Sequence, residues 1–102
     1  MKIIQKIEEH IDEEISDAKK YIECAMMYKE SEPAAAKVFA QLSEEEMEHS
    51  NKLHAVVAQI IQRYRDQHGE PPQDMQAVYD FLHERAIEKA TEVRTMQNMY
   101  NM

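Results

Sequence analysis

PAAAKVFAQLSEEEMEHSNKLHAVVAQIIQRYRDQ, residues 33–67, carries an apolar stripe at helical spacing that two ionisable side chains interrupt. Read in steps of four and three, the stripe is Ala35, Phe39, Leu42, Glu46, His49, Leu53, Val56 and Ile60. This is the inward-facing spacing of a packed helix. The stretch before it has the same form: Ile4, Ile7, Ile11, Glu14, Ala18, Tyr21, Ala25 and Tyr28. An unpaired carboxylate in such a seam costs several kcal/mol, so something must compensate each one. Two carboxylates and an imidazole brought together inside a helical bundle point to a metal ion.

Working outward, the chain's few breakers set the elements. Pro33 suits the first turn of a helix, and Lys29-Glu30-Ser31-Glu32 forms the connection before it. Gly69, the one glycine, is a helix terminator, and Pro71 and Pro72 follow it. These marks predict helix A over 2–29, helix B over 33–67 and helix C over 72–100 in a single all-α domain spanning 1–102. Helix C has a looser stripe of Met75, Tyr79, Leu82, Ala86, Lys89/Ala90, Val93, Met96 and Tyr100. Its own chain and a neighbouring subunit would each cover that stripe, and the sequence leaves the choice open. No internal repeat and no low-complexity segment breaks the pattern.

Composition narrows the function classes. With 102 residues, 43% hydrophobic and 31% charged, the chain fits a small amphipathic bundle better than a disordered segment. One copy buries a modest core, so homo-oligomerisation is an expected source of stability. A formal charge of −8 argues against nucleic acid as a partner, because phosphate binding rests on Lys/Arg clusters. The same charge raises the local concentration of metal cations. The single Cys24 excludes an internal disulfide and a multi-cysteine zinc site. No apolar run reaches membrane-spanning length, and the charged start MKIIQKIEEHIDEE is unlike a signal peptide. A cytoplasmic location with no membrane partner is the expectation.

A short connection makes helices A and B antiparallel neighbours, so level residues have numbers that sum to about 62. Glu14 is then level with position 48, between Glu46 and His49. Glu46 and His49 are three residues apart on one face and can address a common centre. The metal set expected from the residues is Glu14, Glu46 and His49, with Asp17 read as an exposed residue at the seam edge or, alternatively, as an extra ligand or an ion-entry carboxylate.

This arrangement resembles the ferritin-like carboxylate proteins, in which two helices each give a Glu and two others each give Glu-x-x-His. Glu46-Met47-Glu48-His49 matches the Glu-x-x-His, and Glu14 stands where the lone glutamate belongs. In bacterioferritins and rubrerythrins that glutamate is followed about seven residues later by a tyrosine and about 33 later by the Glu-x-x-His. Tyr21 matches the first spacing, and Glu46 lies 32 residues after Glu14. The resemblance covers roughly residues 7–64. It departs at Asp17, where those families usually have a small residue, and in holding only half of the four-helix set in one chain. A homodimer of this antiparallel hairpin plus third helix would complete a ferritin-like four-helix bundle. The encapsulated ferritins, which build their iron site between two short chains, are similar in this respect. The ending Thr95-Met96-Gln97-Asn98-Met99-Tyr100-Asn101-Met102 shows no linker to a Leu/Gly docking tail, so an encapsulin shell is not an expected partner.

What the resemblance implies is a dinuclear, non-haem iron site at a subunit interface. Glu14, Glu46 and His49 would act in oxidising Fe(II) with O2 or peroxide, a ferroxidase reaction, and Tyr21 would hydrogen-bond a ligand carboxylate. Mixed carboxylate and imidazole donors suit iron or Mn, with Zn as a competitor. Two other readings stand beside it: a helical oligomerisation module with a buried Glu/His polar layer, and a mononuclear Zn or Mn binder. Glu44, Glu45 and Glu48 read as a solvated face. His10 and His54 are near-level and suggest a second cation site. His83 with Glu84 and Glu88 suggests a metal contact to a neighbouring subunit. The eight methionines, Met26, Met27, Met96 and Met99 among them, read as adaptable packing rather than a soft-metal box.

Overall fold

A computed structural model describes all residues, 1–102, and contains three helices with no strands: α1 (Lys2–Tyr28), α2 (Pro33–His68) and α3 (Gln73–Tyr100). Each boundary has a local cause. Pro33 opens α2, where its missing N–H is no loss and its fixed φ is already helical. Gly69 closes α2 at φ +79°, a left-handed value that side chains with a Cβ resist, and its N–H bonds the Arg65 carbonyl at 2.9 Å. Arg65 and His68 sit in that last turn, where positive charge complements the helix dipole. Pro72 precedes α3, and Asp74 in its first turn accepts a bond from the Met75 N–H at 3.0 Å.

Contacts fix the directions. Ser43 donates to the Ala18 carbonyl at 2.7 Å, and Tyr21 lies over Phe39, so α2 returns along α1. Lys89 pairs with Asp12 and Lys19 with Glu92, so α3 runs parallel to α1. The assembly is an elongated rod of 56 × 19 × 17 Å. α3 packs chiefly on α1 of its own chain, with most of its stripe half-buried. Tyr79 and Val93 are buried there as that stripe predicts.

The core differs in one respect from the expected seams. On α1 the buried line is Ile4, Ile7, Ile11, Ile15, Ala18, Ile22 and Ala25. On α2 it is Ala36, Ala40, Ser43, Met47, Ser50, Val57 and Ile60, one residue round from the predicted stripe over most of its length. Phe39, Leu42, Glu46 and Leu53 are half-buried, and Ala35, His49 and Val56 are exposed. The reason is steric. Ser43 on α2 bonds Ala18 on α1, Ala25 clusters with Ala40, and small residues at these positions let the two backbones come close. The bulkier stripe is thereby turned toward the outer side of the helix pair, where its residues are half-buried or exposed. Tyr28, placed in the first seam, is exposed as well.

A buried polar link ties all three helices at one level. Gln97 of α3 donates through Nε2 to Ser43 Oγ at 2.9 Å, and Ser43 donates in turn to Ala18 of α1. Ser43 is fully buried and Gln97 nearly so, and satisfied bonds of this kind make such burial tolerable. No helix is long and apolar enough to cross a membrane.

Candidate metal centre

Glu14, Glu46 and His49 converge. Each offers one ligand atom such that the three atoms lie within 4.8 Å of one another. His49 Nδ1 is 3.5 Å from Glu14 Oε2 and 3.8 Å from Glu46 Oε2. Glu14 occupies the outer edge of α1 beside the buried Ile15, and Glu46 stands beside the buried Met47 on α2. Packing of these two apolar neighbours therefore fixes the roots of both carboxylates. Side-chain exposure falls from 53% at His49 to 28% at Glu14 and 19% at Glu46, so the acids sit deeper and the imidazole covers them.

One atom has no protein partner in hydrogen-bonding geometry: Glu14 Oε2 is buried and accepts no hydrogen bond. Buried acceptors are nearly always satisfied, so an orphan within a cluster of ligand atoms fits a cation. The donor set fits too, with two hard carboxylates and one intermediate imidazole. Ligand atoms on a shared ion with bonds near 2 Å stand about 3–3.5 Å apart. The two His49 distances are already close to that range, and small side-chain rotations would bring the group into it.

The other residues singled out from the sequence fall as follows. Asp17 is exposed on the next turn of α1 and lies outside the group. Tyr21 is half-buried with its ring centroid 6.3 Å from that of Phe39, and its hydroxyl bonds neither Glu14 nor Glu46. Glu44, Glu45 and Glu48 are exposed, in keeping with a solvated face. His10 does not meet His54; it lies 3.6 Å from Glu13 on its own helix. His54 is turned the other way, toward α3, and its Nε2 is 2.7 Å from His83 Nδ1. His83 is thus engaged within its own chain, and Glu84 and Glu88 line a different hollow with Phe81 and Arg85.

The His54–His83 contact went unseen in the sequence, as did Glu8 beside it. The level-pair rule applied to the Gly69–Pro72 turn places residue 54 opposite residue 87, one helical turn beyond His83, so the rule does not find this pair. Burial pushes the His54 imidazole below its ordinary pKa, and the neighbouring His83 pushes it the same way. Burial raises the Glu8 carboxyl, and His83 partly offsets the rise. Cys24 is a free, half-buried thiol.

The chain matches no protein family model, no curated protein and no solved structure.

Proposed function

We propose that this chain is a ferritin-like half-bundle that dimerises over its outer face and binds a pair of iron ions there as a ferroxidase. The observation that carries this reading is the convergence of Glu14, Glu46 and His49 around an unsatisfied buried carboxylate oxygen. A second observation supports the dimer. The outer face around these ligands carries Phe39, Leu42 and Leu53, half-buried, with Tyr28 and Val56 exposed at 42% and 41%. A second copy laid on this face by a twofold operation would cover these side chains and bring two further carboxylates and a second imidazole to the ligand group.

The roles follow from the donors. Glu14 and Glu46 would hold the cations and offset their charge, and His49 would complete the donor set from the solvent side. Fe(II) is the substrate: two ions give one electron each to O2, which takes up two protons and leaves as hydrogen peroxide. Asp17, exposed one turn from Glu14, would attract Fe(II) to the site from solution. Tyr21 has its hydroxyl free to accept or donate once a partner subunit is present.

A second reading draws on the two contacts of His49 with Glu14 and Glu46, which would let the trio act as a polar layer that selects a partner helix. Anaerobic titration with Fe(II), followed by air, separates the two. The ferroxidase reading expects about one iron per chain, a ferric absorbance on aeration and a solution mass of at least a dimer. Absence of stoichiometric metal, together with an unchanged melting temperature in Fe(II), leaves the polar layer and removes the iron site.

A further inference from the structure

We infer a second metal site in this chain, for a borderline dication such as Zn2+, with His54 of α2 and His83 of α3 as its imidazole ligands and Glu8 of α1 as its carboxylate. It lies about 9 Å along α1 from Glu14, on the side of the bundle that α3 covers. It stands independently of the iron reading.

The His54–His83 geometry carries the inference. The two nitrogens are 2.7 Å apart, the ring planes differ by 17° and the centroids are 4.7 Å apart. A separation that large, for rings touching through their nitrogens, means that they meet edge to edge and nearly coplanar. The contact is an N–H···N hydrogen bond between α2 and α3, one imidazole donating and the other accepting, and loss of the shared proton would leave both nitrogens free to take an ion. A tetrahedral Zn2+ with bonds of about 2.0–2.1 Å sets two ligating nitrogens about 3.3 Å apart. To accept the ion the pair must give up its shared proton, open by about 0.6 Å and swing until both lone pairs converge on it. His83 is exposed and His54 half-buried, so both rings have room to move that far.

The surroundings supply the remaining ligands. A hollow of about 170 Å³ is lined by Glu8, His54, Asp80 and His83, with Ile4 and Tyr79 among its walls. Glu8 lines the hollow from α1, outside ligand distance of the two imidazoles as it stands; a turn of its side chain would bring the carboxylate to the ion, and water would complete a four-ligand shell. Two imidazoles with one carboxylate favour Zn2+ over the harder ions. Each helix gives one ligand, so the ion would tether α3 to the other two. α2 otherwise reaches α3 through few polar contacts, namely Gln97 with Ser43 and Arg65 with Gln76.

The test is calorimetric titration of chelator-treated protein with Zn2+, run on a Glu46→Ala/His49→Ala chain so that the first ligand group is silent. One Zn2+ per chain is expected, with visible bands of tetrahedral Co2+ when cobalt replaces it. His54→Gln and His83→Gln are each expected to weaken binding at least tenfold with helicity unchanged by circular dichroism. Zn2+ affinity retained in a fully helical His83→Gln chain overturns the site. Should the silenced background fail to fold, imidazole proton resonances of the full native chain decide. Zn2+ must shift those of His54 and His83 together, and a spectrum in which neither moves overturns the site equally.

Discussion

Replacing Glu14 by leucine is expected to stabilise the metal-free protein while abolishing its response to Fe(II). Glu14 Oε2 is buried without a hydrogen bond, and leaving a buried polar atom unsatisfied costs about 1–3 kcal/mol. The carboxylate recovers part of this through His49, but that imidazole is 53% exposed and 3.5 Å away. A pair of this kind returns about 0.2–1 kcal/mol. Removing both effects leaves a net gain of about 1–2 kcal/mol, to which leucine adds some apolar burial against Ile15 and Met47. In a chain of this size each kcal/mol moves the melting temperature by about 4–8 °C. Thermal unfolding followed by circular dichroism, with chelator and at fixed protomer concentration, reads the shift directly. Adding anaerobic Fe(II) at about 100 times its dissociation constant should raise native stability by about 2.7 kcal/mol and leave the leucine variant unmoved. A leucine variant that melts below the native chain without metal refutes the reasoning, because Glu14 would then be a stabilising member of a polar layer.

Three further outcomes are expected. Leu42→Lys, on the outer face, should halve the solution mass by light scattering while the helical signal of each chain persists; an unchanged mass rejects that face as the interface. Ser43→Ala removes the acceptor of Gln97 and the donor to Ala18, so urea unfolding should show a loss of about 1–3 kcal/mol. In chelator-treated protein, His54 titrates lower in the folded state than in the unfolded one, so the unfolded chain binds more protons as pH falls below about 6.5. Stability is therefore level above that pH and declines on acidification toward the folded value, with Asp80, His83 and Glu8 facing the ring from α3 and α1. Glu8 has the opposite sign, its raised pKa favouring the fold below about 4.5 and the benefit fading as pH rises through the folded value. His54→Gln should flatten the decline expected below about pH 6.5 in equilibrium denaturation.

The elements were legible in the sequence because breakers are scarce and each acts locally. Pro33 and Gly69 determine where α2 starts and stops whatever the rest of the chain does. The meeting of Glu14 with Glu46 and His49 was legible too, since a short connection fixes which residues of two antiparallel helices are level. Helix rotation was not legible. The stripe through Phe39, Leu42 and Leu53 is the more hydrophobic one, yet the line through Ala36, Ala40 and Ser43 is the buried one. Periodicity ranks faces by greasiness, whereas close approach of two backbones is decided by side-chain size. The His54–His83 contact escaped for a related reason, because it depends on how α3 settles against α2. That settling is governed by Tyr79, Val93 and Gln97 on α3.

The bond from Gln97 to Ser43 and on to Ala18 has a mechanical consequence for the ligand group. Ser43 precedes Glu46 by three residues, and Ala18 follows Glu14 by four, so the bolt sits one turn from the carboxylates. Sliding α1 past α2 would break it before the acids could drift out of step. A tug on α3 would travel through Gln97 to the same spot, which makes the third helix a handle on the cluster that it does not touch.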